Sequence, residues 1–220
     1  MLKPFLFMII FLKQIKMKNK FLIVIIFAAA IFMTTSFNSK IDKKVIVIDA
    51  GHGGTDFGAQ SCGLSEKIIV ENIAKKIKLF NENESDIEII LLRSTDATIS
   101  LQDRIESINM INPALLISLH VNMSKNSELN GIDAFVSPNN KSYQKSVESA
   151  NSLLTMIDTK NLKTGKVQDA NFMVLRKTFC PAVLLEIGYL SNDNDFNYIS
   201  NQNGQKEIAK KIYDYLKTIK

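Results

Sequence analysis

From residue 43 onward the chain alternates between short apolar runs rich in β-branched residues and longer stretches whose apolar positions recur every three or four residues. The first kind predicts strands at 45–49, 88–93, 114–120, 132–137, 171–176 and 182–187. Several are apolar throughout, the pattern of strands covered on both faces. The second kind predicts helices at 65–81, 101–111, 143–158 and 202–219. Turn chemistry supports these boundaries: Gly63 precedes the first helix, Asn112-Pro113 ends the second, and Asn139-Asn140 opens the third. Such alternation predicts one α/β domain with a largely parallel or mixed sheet between helix layers. No internal repeat, low-complexity linker or appended module interrupts it.

Ahead of this region the pattern is different. Residues 1–40 carry six Lys and no Asp or Glu, and Phe21 to Met33 is an unbroken apolar run of 13 residues followed by Thr34-Thr35-Ser36. A positive start, a short apolar middle and a small-residue exit read as an export signal. The expected organisation is therefore an export segment at 1–36, with Met17 as an alternative start, a short linker at 37–43, and a catalytic domain at 44–220. The competing reading is an uncleaved N-terminal anchor, although 13 apolar residues fall short of the roughly 20 that span a membrane.

Charge then changes meaning. The whole chain has a formal net charge of +5, which would suggest a polyanionic partner. Six of its 27 basic residues lie in residues 1–40, leaving 21 against 22 acidic groups, a net charge of −1 for the rest. Nucleic acid binding loses its support, and the membrane enters only through the export signal or anchor. Two Cys in 220 residues are too few for a disulfide-stapled scaffold. Spacing leaves open whether Cys62 and Cys180 pair.

Only two His occur. His52 follows the first predicted strand in Asp49-Ala-Gly-His-Gly-Gly54, and His120 ends the third in Leu115-Leu-Ile-Ser-Leu-His120. Both lie at carboxyl ends of strands, where open α/β sheets place their sites. Imidazole is the commonest transition-metal ligand, so the pair outweighs two unrelated core histidines. Glu66, in the first turn of a predicted helix, is the candidate third ligand. Taken alone it would be assigned to favourable helix-start electrostatics. Two His and one Glu form a known catalytic zinc set with a position left open. Glu186 stands in the apolar run Ala182-Val-Leu-Leu-Glu-Ile187. A carboxylate there costs several kcal/mol unless paired or used, so it is either a general base and acid or one half of a salt bridge to Arg93 or Arg176. Cys62 weighs less as a ligand, because an exported thiolate is prone to oxidation. Arg93, Asp96 and Arg104 are expected to brace a loop by ion pairing rather than to meet substrate.

The ordered motifs resemble the zinc-dependent N-acetylmuramoyl-L-alanine amidases of the amidase_3 family, which cleave peptidoglycan. They run through Val45-Ile-Val-Ile-Asp-Ala-Gly-His-Gly-Gly-Thr-Asp-Phe-Gly-Ala59, Glu66-Lys67, Leu92-Arg-Ser-Thr-Asp96, Leu101 and Arg104. They continue through Ile117-Ser-Leu-His-Val-Asn122, Gly131, Val174-Leu-Arg176 and Pro181 to Asn192, covering about residues 44–218. The resemblance implies a single α/β domain whose mixed, mostly parallel sheet is flanked by helices on both faces. It implies Zn2+ held by His52, Glu66 and His120, with Glu186 as the catalytic carboxylate, and peptidoglycan as the substrate. The reaction it implies is hydrolysis of the amide between the lactyl group of N-acetylmuramic acid and L-alanine, outside the cytoplasmic membrane. Some members carry a long helical insertion that shields the zinc; the 66 residues from His120 to Glu186 are mostly assigned to a strand, a helix and another strand, so no such insertion is expected and activity without an activating partner follows as a hypothesis, with any regulatory protein left unidentified.

Overall fold

The computed structural model describes residues 43–82 and 86–219. The expected export segment, residues 1–36, and nearly all of the linker lie outside them. Along the chain come β1 (Lys44–Ala50), the hairpin strands β2 (Gln60–Ser61) and β3 (Leu64–Ser65), α1 (Glu66–Phe80), β4 (Ile87–Leu91), α2 (Leu101–Ile111) and β5 (Leu115–Asn122). There follow β6 (Ile132–Val136), α3 (Tyr143–Ile157), β7 (Thr164–Asp169), α4 (Met173–Lys177), β8 (Ala182–Tyr189), α5 (Asp193–Ile199) and α6 (Gln202–Leu216).

Six strands form one sheet in the order β4-β1-β5-β8-β6-β7. All neighbours run parallel except β6 and β8, which is the expected mixed, mostly parallel sheet. Side chains alternate between its two faces. Ile46, Ile48, Ile117, Leu119, Val183, Leu185, Ile132 and Ala134 point to one face and pack with α1, α3 and α6 in the larger core. Val47, Leu116 and Leu184 point to the other, where Ile108 of α2 and Val174 and Leu175 of α4 cover them.

The same alternation decides where the polar chemistry goes. Asp49, Ser118, His120, Glu186 and Asp133 share the parity of Val47, Leu116, Leu184 and Phe135, so they lie on the thinly covered second face. A one-residue slip would bury these groups under α1 and expose the isoleucines, each of which contributes roughly 1.5–3 kcal/mol by burial. Register is therefore strongly fixed.

The expected helices form with ends within three residues of expectation, and Asn112 ends α2 in the left-handed conformation, with φ 48°. Two expectations are corrected. Residues 171–176 are not a strand; most of them form the short helix α4, whose apolar residues Val174 and Leu175 are buried on one side. The missing strand is β7, Thr164–Asp169, an edge strand with exposed Gly165, Lys166 and Asp169. An edge strand that packs little more than Val167 against the core needs no apolar run, so the hydrophobic pattern carries no sign of it. Helix α5 was likewise unexpected, being short and polar, with Asn192 capping its first amides through its side chain. Between His120 and Glu186 the chain is used up by β6, α3, β7 and α4, with no inserted helical subdomain.

Candidate metal centre

His52, Glu66 and His120, far apart in sequence, meet above the carboxyl ends of β1 and β5, with one ligand atom of each within 4.8 Å of the others. His120 arrives on β5 itself. Glu66 is delivered by the hairpin β2–β3: Glu66 N–H donates to Ala59 O at 2.8 Å, tying the start of α1 to the loop after β1. Its side chain is buried and fully used. Oε1 lies 3.0 Å from His52 Nε2 and 2.9 Å from His120 Nδ1 and accepts from Val121 N–H, while Oε2 accepts from Ala59 N–H. The hydrogen bond to Glu66 raises His52 to about 9, against its partial burial. Burial disfavours the Glu66 carboxylate, but hydrogen bonds from His120 and His52 hold its pKa far below the usual range.

Close approach requires glycine at two positions. A Cβ at Gly51 would lie 2.4 Å from the His120 ring, and one at Gly58 would lie 2.4 Å from Glu66 Oε2. His52 adopts a left-handed φ of 58°, a conformation that costs about 1–3 kcal/mol outside glycine and persists only where its surroundings enforce it. They do so in several ways. The guanidinium of Arg104 pairs with buried Asp49 and donates to Ala50 O at 3.0 Å and His52 O at 2.5 Å. Arg93 donates to Ala50 O, Gly51 O and Lys67 O and pairs with Glu71 at 2.6 Å. Buried Lys67 donates to Gly54 O at 2.6 Å and Asp96 at 2.8 Å. Arg93, Asp96 and Arg104 thus brace the loop, as expected. Asp56, which sequence reasoning passed over, lies 2.8 Å from His52 Nδ1. It orients the ring so that Nε2 faces Glu66. Its signal was a carboxylate four residues after a histidine in a glycine-rich turn.

These donors suit a zinc ion. Two imidazoles and one carboxylate, with one ligand atom of each within 4.8 Å of the others, are a donor set that zinc takes. The carboxylate also favours the charged form of His52, in the place where a dication would supply positive charge.

Glu186 stands opposite His120 in the β5–β8 register. Neither Arg93 nor Arg176 pairs with it: Arg93 is engaged by Glu71, and Glu186 Oε2 is buried without a hydrogen-bond partner. Burial raises its pKa to about 7, with the nearby histidines opposing and Glu66 and Asp133 adding to the rise. Such a group takes and returns a proton near neutral pH. A cavity of about 360 Å³ opens beside His52 and His120, walled by Asp56, Thr98, Leu101 and Val174. Cys62 and Cys180 are both free. Cys62 sits in the β2–β3 turn; Cys180 lies in the smaller core, where burial pushes its thiol to about 11.

The family model for N-acetylmuramoyl-L-alanine amidases (Amidase_3) matches residues 46–218. A Staphylococcus epidermidis protein described as "Probable cell wall amidase LytH" is 36% identical over 185 residues, covering 82% of this chain and 60% of that protein. The sporulation-specific N-acetylmuramoyl-L-alanine amidase of Bacillus subtilis is 31% identical over 170 residues, covering 75% of this chain and 64% of its own. The chain thus spans about three fifths of the length of these curated relatives. The crystal structure of an N-acetylmuramoyl-L-alanine amidase from Clostridium difficile 630 matches with a TM-score of 0.75 at 30% identity, covering 80% of this chain and 96% of that one.

Proposed function

The chain belongs to the N-acetylmuramoyl-L-alanine amidase family, and from that premise we propose that it hydrolyses the amide joining the lactyl group of N-acetylmuramic acid to L-alanine in peptidoglycan. The observation that carries this reading is the buried, unpartnered Oε2 of Glu186 beside the cluster of His52, Glu66 and His120. A carboxylate left without a partner at that depth costs several kcal/mol, a cost that a proton-transfer role explains.

In this reading His52, Glu66 and His120 would hold Zn2+. When bound, zinc supplies Lewis acidity, polarising a carbonyl and making water acidic near neutral pH. Asp56 holds the His52 ring with Nε2 directed at the centre, and Arg104 fixes the His52 backbone beneath it. Glu186 takes a proton from the attacking water and delivers it to the leaving nitrogen of L-alanine. The thin cover of the second sheet face leaves this edge open to a polymeric substrate.

The proposed organisation keeps residues 1–36 as an export segment and 44–220 as the catalytic domain, placing the enzyme at the cell wall outside the cytoplasmic membrane. The match over residues 46–218 supports the second part, and no helix among the described residues is long and apolar enough to cross a membrane. The test is release of soluble label from dyed peptidoglycan by the purified chain. Release that stops on chelation, returns with zinc and is missing in Glu186→Gln is the expected result; release indifferent to chelator and to Glu186 refutes the reading.

A further inference from the structure

Three titratable side chains stand in a row across the second sheet face. His120 on β5 is opposite Glu186 on β8, and Glu186 is opposite Asp133 on the antiparallel neighbour β6. Directly opposed carboxylates on one face of an antiparallel pair repel each other, and a fold tolerates such a conflict chiefly where function uses it. No Lys or Arg among the described residues forms an ion pair with either carboxylate.

Asp133 is also held in place by a local irregularity. The β6–β7 register shifts between Ile132 and Ala134, and the bulge it makes presents Lys166 N–H to Asp133 Oδ1 at 3.1 Å. Gly165 leaves the space that this carboxylate fills, since a Cβ there would lie 2.3 Å from Asp133 Oδ1. Bulges of this kind re-aim side chains beside active sites. The result is a carboxylate fixed through one oxygen, on the side of Glu186 away from the metal ligands.

We propose that Asp133 is a further residue of the catalytic site, one that receives the amine leaving group and stabilises the ammonium it becomes. This rests on the amide hydrolysis proposed above. In that reaction the C–N bond breaks, the water oxygen bonds to the carbonyl carbon, and both water hydrogens end on nitrogen, giving a carboxylate and an alkylammonium. The positive charge develops on the atom that Glu186 protonates. Asp133, next in the row and without a cation of its own, is placed to pair with it.

The test compares two substrates of purified, zinc-loaded protein: an N-acetylmuramoyl dipeptide, and the ester analogue in which the L-alanine nitrogen is replaced by oxygen. The ester leaves as a neutral alcohol and needs no ammonium partner. Asp133→Asn is expected to slow amide hydrolysis about tenfold or more, the worth of one charge-assisted hydrogen bond, with ester hydrolysis and zinc content unchanged. Equal slowing of both substrates, or of neither, overturns the proposal. Wild-type protein inert on both substrates overturns the underlying hydrolysis, and this assignment with it. Should the variant not fold, wild-type protein gives the answer. It is expected to bind the free stem peptide about tenfold more tightly than the same peptide with its terminal amine acetylated, and equal affinities refute the assignment.

Discussion

His120 and Glu186 occupy matching positions on adjacent parallel strands, so the backbone of the sheet itself sets a proposed metal ligand beside the proposed proton carrier. The two roles separate by substitution. Glu186→Gln is expected to retain zinc and lose about 10²–10⁴-fold in turnover, the range for a general acid and base. His52→Ala and His120→Ala are expected to lose the metal. Elemental analysis beside turnover reads both; a zinc-free Glu186→Gln protein would contradict the assignment.

Arg104 and Asp49 form an ion pair in which both side chains are nearly inaccessible, at 4% and 3% exposure. Replacing Arg104 with Leu strands a buried carboxylate and removes the support under His52 O. The expected cost is about 3–5 kcal/mol, measured by denaturant unfolding, together with weaker zinc binding. A loss below about 1 kcal/mol would mean that the pair does little beyond filling space.

Glu71 gives a pH signature remote from the metal ligands. Burial opposes its ionisation, but hydrogen bonds from Lys75 and Arg93 hold its pKa below the ordinary 4.5. A depressed folded pKa contributes stability above the unfolded pKa that is lost as pH falls through the folded one. Glu71→Gln is therefore expected to be less stable than wild type by about 1–3 kcal/mol at neutral pH. The difference should shrink below about pH 4.5. Parallel thermal unfolding curves at neutral and acidic pH check this, and a difference independent of pH would deny the ion pair its role.

Much of this is legible in the amino-acid sequence. Ile46 to Ile48, Leu115 to Leu119 and Val183 to Leu185 are buried on both faces, and burial writes itself as an apolar run. Thr164–Asp169 is an edge strand whose composition answers largely to solvent, so periodicity missed it, and Met173-Val-Leu175 is apolar because one side of a short helix is covered, so periodicity misassigned it. At the site, His52 and His120 stood out because strand ends carried the only two histidines. Glu66 alone read as an ordinary first-turn acid, and its meaning comes from the β2–β3 hairpin that folds it back over β1 and β5. Asp56 and Asp133 take their positions from neighbours that sequence does not place, a ring nitrogen and a strand register.

The segment between β5 and β8 bears on regulation. With β6, α3, β7 and α4 accounting for it, it holds no inserted helical subdomain, and its Val174 forms one wall of the cavity beside His52 and His120. The purified chain is therefore expected to digest peptidoglycan unaided. Digestion that begins only when a second protein is added would show that some other element closes the site.

The most direct test of the account is the mass spectrum of products released from purified peptidoglycan by the zinc-loaded chain. The account predicts intact stem peptides with a free L-alanine amine, and glycan strands ending in free lactyl carboxylates. Stem peptides cut internally, with L-alanine still attached to the glycan, would contradict it.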